Sequence, residues 1–273
     1  MASNPEPRLR EPKPVWLVFL LMLPVLALLA GFITLGVVQI IKRAHLEHSP
    51  GLPGAPLIQG GPTLSESRPV ADFNAVSLTG IGALHITQGA TESLTLNAPE
   101  DQLDRIETEV RGNTLYIRFV QPKLSFNFGA SPNLNFDLMV KELRKLELAG
   151  ATKAECAALK FDQLTIKTAG AADLNLQGLE GEHLNCDFSG ASKANLAGKV
   201  TSQKVVLSGA AQYEAKNLIS EEVTVELSGA GKATVNASNS LKANASGAAS
   251  IRYIGNPAQV EKSASGAASV KPL

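Results

Sequence analysis

Hydrophobic and polar residues alternate with a period of two on both sides of a recurring glycine. One copy of this pattern reads VVLSGAAQYEA around Gly209, and the next reads VELSGAGKATV around Gly229. Alternation of this kind is the pattern of a half-buried β-strand. Each copy therefore predicts two short strands that meet at a corner occupied by the glycine.

Seven copies follow one another at steps of 18 to 20 residues. The residue before the glycine is always Ala or Ser, and the residue after it is always Ala. The corner glycines are Gly150, Gly170, Gly190, Gly209, Gly229, Gly247 and Gly266. A near-constant spacing of this length is typical of a solenoid, in which each repeat stacks on the one before it.

The alternation places four columns of apolar residues inside the predicted solenoid. Two columns precede the corner glycine by four and two residues, and two follow it by four and six residues. Intervening positions are mostly polar, and Lys153, Asp173 and Lys193 form an outward ladder of alternating charge. Because stacked strands lie about 4.8 Å apart, a sharp corner favours residues with little or no side chain. We therefore interpret the corner glycines as structural.

These patterns predict an all-β fold: a single-stranded, right-handed parallel β-helix over residues 141–273, with about 19–20 residues per coil. The right-handed sense follows from the usual handedness of parallel crossovers. A leucine-rich repeat is disfavoured because its terminal Asn and its helical half are missing. A left-handed hexapeptide helix is disfavoured because no six-residue apolar period is present.

Residues 71–140 predict a β-rich head in front of the coils. The stretch VSLTGIGALHI around Gly80 matches the repeat as a first, degenerate rung. Alternation on both sides of Gly112 and Asn113 predicts a β-hairpin, and NLNFDLMV predicts a further strand. We expect this head to cap one end of the solenoid, and we expect Lys262, Lys271 and Pro272 to hinder end-to-end pairing at the other.

The segment 15–41 contains no charged residue. As a helix it would extend roughly 40 Å at 1.5 Å per residue, which is more than a bilayer core requires. We expect a single transmembrane helix there, preceded by a short cytoplasmic tail over 1–14 and followed by a Pro/Gly-containing linker over 42–70. Three basic residues precede the helix and two follow it. This bias predicts a single-pass protein of the cytoplasmic (inner) membrane, with its β-helical domain facing the periplasm or the cell exterior.

The net charge and the candidate reactive residues limit the classes of function that fit the sequence. The formal net charge is zero and the basic residues are scattered, which disfavours nucleic acid as a partner. Cys156 and Cys186 lack a CxxC or Cys/His neighbourhood, so they are interpreted as buried apolar residues. The serines of the SGA motif lack the G-x-S-x-G elbow of a nucleophile. We expect no catalytic residue, no metal site and no cofactor.

The order of motifs adds a resemblance. The chain combines the opening FNAVSLTGIGALHITQG, the hairpin EDQLDRIETEVRGNTLYIRF, the stretch LRKLELAGA and the iterated L-x-L-S-G-A. Over roughly residues 70–270 it resembles the bacterial domain family of unknown function 2807 (DUF2807), the putative auto-transporter adhesin head GIN domain. The resemblance implies a β-helical, envelope-associated domain without established catalytic activity. The family defines no functional residues, so none are carried over to this chain.

The resulting hypothesis is a non-enzymatic, membrane-anchored cell-envelope protein. Its β-helical surface would bind or adhere to a partner protein, a glycan or the cell wall. Two alternatives stay open. One is a β-helix enzyme that acts on polysaccharides, which rests on fold analogy alone. The other is an envelope sensor or scaffold that works with a membrane signalling protein.

Overall fold

A computed structural model of the chain describes residues 62–120 and 133–273. The predicted transmembrane helix at 15–41 lies outside the described residues, as do the predicted cytoplasmic tail and most of the predicted linker. Within the described ranges, no helix is long and apolar enough to cross a membrane. The described part of the chain is all-β and contains a β-solenoid of about six turns.

Six strands and one short helix build the head. They are β1 (Thr63–Arg68), β2 (Ala75–Gln88), β3 (Ser93–Pro99), α1 (Glu100–Leu103), β4 (Ile106–Arg111), β5 (Thr114–Phe119) and β6 (Asn135–Val140). Eight strands build the coils. They are β7 (Lys145–Cys156), β8 (Leu159–Gly190), β9 (Lys193–Gly209), β10 (Gln212–Gly229), β11 (Lys232–Gly247), β12 (Ser250–Ile254), β13 (Gln259–Gly266) and β14 (Ser269–Pro272).

Successive turns of the solenoid pair in parallel with the predicted repeat register. Gly150 pairs with Gly170, and Gly209 pairs with Gly229. Strand β7 continues through the corner at Gly150 and β8 through the corner at Gly170, whereas from Gly190 onward a strand ends at each corner glycine and the next begins three residues later. The later corners therefore separate strands as predicted, and backbone bonding between turns persists across them, since the amide of Ala191 donates to the carbonyl oxygen of Gly170 at 2.9 Å.

The four predicted apolar columns form the solenoid core. In the column four residues before the corner, five successive members are at most 2% exposed. They are Leu146, Ile166, Cys186, Val205 and Val225. A fifth buried column, six residues before the corner, was not predicted from the sequence. It includes Leu164, Leu184 and Gln203. The last turn departs from the pattern, because every residue of β13 is exposed, including Lys262.

The head extends the same columns. Strand β2 pairs in register with β7 over Gly80 and Gly150, which confirms the predicted first rung. On the other side of β2, β5 pairs with its first half and β6 with its second half, so these two strands together form one more layer. The predicted hairpin is confirmed as β4 and β5, with positive φ at Gly112 and Asn113.

Strand β1 was not anticipated. It lies within the segment 42–70 predicted as a linker, and it pairs antiparallel with β3. None of its six residues is buried, so it carries no hydrophobic signal. Its backbone pairing with β3, rather than burial of its side chains, defines it as a strand. The ordered head therefore begins before Val70.

Candidate functional site

The corner glycines line one edge of the solenoid. All seven have positive φ, from 74° at Gly266 to 109° at Gly170. A Cβ atom added at Gly170 would lie 2.8 Å from the carbonyl oxygen of Gly150 in the previous turn. The neighbouring SGA serines bond to backbone. The hydroxyl of Ser189 donates to the carbonyl oxygen of Thr168 at 2.9 Å. This edge is therefore occupied by backbone contacts and offers no reactive group.

Each turn presents two long outward faces. We call the outward positions five and three residues before the corner the first face, and those three and five residues after it the second face. On the first face, Glu147 lies beside Lys167 in register, and Lys145 forms an ion pair with Glu147 at 2.7 Å. A groove of about 320 Å³ beside them is lined by Lys167 and Asp187, among others. Opposite charges alternate along this groove.

The second face carries paired charges near the head. Lys153 forms an ion pair with Glu155 at 2.6 Å, and Nδ1 of His85 lies 3.3 Å from the same carboxylate. The hydrogen bond to Glu155 raises the pKa of Lys153, and the reciprocal bond lowers the pKa of Glu155. The predicted outward ladder is in register, but Lys153 bonds to a carboxylate of its own strand rather than to Asp173.

Farther from the head, the second face forms a groove of about 390 Å³. Lys193, Lys232 and Arg252 line it together with the carboxylate of Glu214. Its remaining polar side chains are Gln212, Thr234 and Ser250. The sequence predicted an outward column of charge that includes Lys193, and Lys232 belongs to the same column. The groove was not predicted, because Arg252 belongs to a different column, two positions later in its turn.

A short third segment precedes the first face in each turn. In the turns near the head, these segments together form one acidic groove of about 440 Å³. Its carboxylates are Glu142, Asp162, Glu180 and Glu182. Two of them are paired with cations: Glu180 with Lys160 at 2.9 Å, and Glu142 with Arg144 at 2.7 Å. Across 62–120 and 133–273, no group of three or more His, Cys, Asp or Glu side chains is arranged to hold a metal ion.

A polar cluster around Tyr213 lies in the solenoid interior. The Tyr213 hydroxyl lies 3.8 Å from Sγ of Cys186 and accepts a hydrogen bond of 3.2 Å from Nε2 of Gln203. Burial raises the pKa of the Cys186 thiol to about 12 and raises that of Tyr213 well above its ordinary value. Cys156 is also free and buried. Both cysteines therefore pack as buried thiols, as the sequence predicted.

One serine and one histidine lie within hydrogen-bond distance on the surface. Nδ1 of His183 is 2.8 Å from Oγ of Ser202. The ladder places Ser202 between His183 on one neighbouring turn and Glu222 on the other. A serine nucleophile is activated by a histidine that itself lies between the serine and an acid. Here the serine occupies the middle position, so this group does not have the geometry of a catalytic triad.

Comparison with known proteins agrees with this architecture. The family model described as "Putative auto-transporter adhesin, head GIN domain" (DUF2807) matches residues 72–257. None of the curated proteins matches the chain. The match covers the head from just before β2 and every turn of the solenoid up to β12.

Several solved structures share the fold, among them three from Bacteroides and Parabacteroides species. A putative adhesin from Bacteroides fragilis is 24% identical with a TM-score of 0.71, and the alignment covers 78% of this chain and 97% of that chain. A putative adhesin from Parabacteroides merdae is 21% identical with a TM-score of 0.58 at the same coverage. A protein named as a putative lipid binding protein, from Parabacteroides distasonis, is 18% identical with a TM-score of 0.56, again with 78% and 97% covered.

Proposed function

We propose that this chain, which belongs to the DUF2807 family of putative auto-transporter adhesin head GIN domains, is a non-enzymatic binding protein of the cell envelope. Its β-solenoid presents outward side chains in rows to a partner protein, a glycan or the cell wall. One observation carries this proposal. The corner glycines stack from Gly80 to Gly266, and the register shifts fall outside the positions that form the two faces, so polar side chains from successive turns stand in line along both faces.

Such an array suits binding better than chemistry. A solenoid holds its surface side chains on a rigid frame, and extended surfaces of this kind are used to engage partners. The titratable groups of the described residues are spread along the array. The buried Cys186 thiol and Tyr213 phenol are inside it, and seven of the carboxylates in the described ranges form ion pairs with cations. A catalytic centre would instead gather a nucleophile, a base and a charge-stabilising group around one point.

The proposal includes membrane attachment. The uncharged segment 15–41 has the length of a single transmembrane helix. The excess of basic residues before it favours a cytoplasmic N-terminus. The right-handed β-helix is then displayed in the periplasm or on the cell exterior of a single-pass inner-membrane protein. The DUF2807 membership and the resemblance to putative adhesins fit this location.

Topology is the first test. Alkaline phosphatase fused after Leu273 of the full chain is expected to be active, and the fusion is expected to be cleaved by protease added to spheroplasts. A chain without residues 15–41 serves as the control and is expected to leave the membrane fraction. An inactive but expressed fusion would place the solenoid in the cytoplasm and would overturn the envelope assignment.

Binding is the second test. The full chain in detergent is mixed with envelope fractions, and co-sedimentation is measured against a cytosolic protein of similar size. Co-sedimentation without release of sugar is expected. Release of reducing or unsaturated sugar from envelope polysaccharide would support the enzyme alternative. Stoichiometric co-purification with one membrane protein, in the absence of envelope binding, would support the sensor or scaffold alternative.

A further inference from the structure

The groove on the second face combines charges from four successive turns. We call it the basic groove, lined by Lys193, Gln212, Lys232, Ser250, Glu214, Thr234 and Arg252. The ladder places Lys193, Gln212, Lys232 and Ser250 opposite one another on successive strands. Because adjacent strands are about 4.8 Å apart, the ammonium groups of Lys193 and Lys232 are attached about 10 Å apart along the solenoid axis.

These cations are available for a ligand. Lys193, Lys232 and Arg252 are exposed. Within the described ranges, none of the three has a carboxylate within 4 Å of its charged nitrogens. Lys153, in the same column nearer the head, is instead neutralised by Glu155 at 2.6 Å. The second face thus changes from paired charges near the head to an excess of positive charge in the basic groove, where Glu214 is the single carboxylate lining it.

The remaining side chains of the basic groove are hydrogen-bonding groups without charge. Gln212 supplies an amide, and Thr234 and Ser250 supply hydroxyls. Amides and hydroxyls donate and accept hydrogen bonds, as the hydroxyl groups of sugars do. The strands that form the floor point Ala194, Tyr213 and Ala233 inward, where each is at most 2% exposed. The floor is therefore backbone, and a flat, extended ligand fits above it.

We infer that the basic groove binds an acidic polysaccharide that lies along the solenoid axis. Its carboxylates pair with Lys193, Lys232 and Arg252, and its hydroxyls bond to Gln212, Thr234 and Ser250. This inference rests on the proposed binding function and names the class of ligand for it. Each exposed ion pair contributes only about 0.2–1 kcal/mol, so a single sugar acid binds weakly. A polymer engages several cations at once, and its second and later contacts form at high effective concentration.

Two other anionic partners fit the basic groove less well. Nucleic-acid sites use many cations along a phosphate backbone, whereas this groove offers three and includes a carboxylate. A membrane surface is usually met by apolar side chains together with basic ones. The large exposed hydrophobic residues of the described chain lie elsewhere. They are Leu64, Val120, Ile219, Val260 and Leu273.

The test uses the full chain in detergent and polygalacturonate as the probe, with neutral dextran as the comparison polymer. Isothermal titration calorimetry is performed at about 50 mM and about 300 mM NaCl, since screening weakens exposed charge pairs. Wild-type protein is expected to bind polygalacturonate, to ignore dextran, and to lose at least tenfold in affinity at the higher salt concentration. Monomeric galacturonate is expected to give no measurable heat.

The decisive comparison is between two variants of equal charge change. The groove variant is K193Q/K232Q/R252Q, and the control is K204Q/K216Q/K242Q, in which three exposed lysines outside the groove are neutralised. Circular dichroism and the denaturation midpoint establish that both variants are folded. The groove variant is expected to bind polygalacturonate at least tenfold more weakly than wild type, and the control to stay within twofold.

Three outcomes would overturn the inference. They are equal losses in the two variants, unchanged affinity in the groove variant, and tighter groove-dependent binding to phosphatidylglycerol vesicles or DNA than to polygalacturonate. The result is separable from the proposed function. If the wild-type protein co-sediments with envelope fractions but does not bind polygalacturonate, the envelope function stands and the ligand assignment fails.

Discussion

A Cβ atom placed on Gly209 would lie 2.7 Å from the carbonyl oxygen of Gly190 in the turn below. Gly209 also has a φ of 89°, a conformation that residues with side chains rarely adopt. The oxygen concerned is part of the ladder, because it accepts a hydrogen bond of 2.9 Å from the amide of Ala210. It cannot move away without breaking that bond. The corner therefore requires glycine for two independent reasons.

Replacing Gly209 with Ala is expected to destabilise the solenoid by about 3 kcal/mol, from backbone strain and from the clash with Gly190. The measurement is the change in urea midpoint at constant slope. Gly112→Ala is the matched control, because Gly112 has a φ of 55° but no atom within 4 Å of its added Cβ. It should lose only about 1–2 kcal/mol. Equal losses would show that stacking at the corner contributes nothing.

Tyr213 and Gln203 are expected to be coupled. Tyr213→Phe removes the acceptor of the Gln203 amide, whose Oε1 already has no partner among the described residues. A buried polar group left without partners costs about 1–3 kcal/mol. The double variant Q203L/Y213F removes both partners, and Leu is the residue found at this column position in the two preceding turns, at Leu164 and Leu184.

The double variant should therefore be more stable than Y213F alone, by about 1–2 kcal/mol in a thermodynamic cycle of the two substitutions. Tyr116→Phe on the surface hairpin is the control, and its stability should stay within about 0.5 kcal/mol of wild type. An additive cycle would show that the hydrogen bond between Tyr213 and Gln203 contributes nothing to the folded state.

Stability should fall in mild alkali. The pKa of Cys186 rises from 9.0 to about 12 in the folded protein because the thiol is buried. Above pH 9 the unfolded chain releases this proton while the folded chain keeps it, so the free energy of unfolding decreases with pH. The loss from this thiol is about 1 kcal/mol at pH 10. Denaturation midpoints from pH 8 to pH 10 should fall less steeply in Cys186→Val, and identical slopes would contradict the assignment.

Most of the fold could be predicted from the sequence, because the alternation within each repeat specifies its strands and their inward residues. The alternation around Gly229 predicts that Val225 and Leu227 are inward, and both are at most 3% exposed. Positions in successive copies then predict which residues stack. The hairpin at Gly112 was predictable for the same reason, since its turn residues and flanking alternation are adjacent in the chain.

Other features depend on relationships that a repeat alignment does not display. Strand β1 is held by backbone bonds to β3, which leave no trace in its side chains. Gln203 occupies an inward column, but its polar side chain is explained only by Tyr213, which lies on the other side of the corner at Gly209. The basic groove needs two columns to be viewed together, since Lys232 and Arg252 belong to different columns and different turns. A table of outward charges by turn would have revealed it.

Lys262 is expected to hinder a second molecule from stacking on the last turn of the solenoid. This residue occupies a position that is apolar and buried in earlier turns, as at Val225 and Ala243, yet it is exposed and its Nζ lies 5.8 Å from the ring centre of Tyr253. Within the described ranges, β13 pairs only with β11, so its outer edge is open to another strand. A charge on an edge strand disfavours intermolecular pairing. Lys262→Leu should therefore increase self-association, measured by sedimentation velocity of the full chain in detergent.

Lys242→Leu, on the outward surface of the preceding turn, is the control for added hydrophobicity. Association that rises equally in both variants, or in neither, would refute a protective role for Lys262.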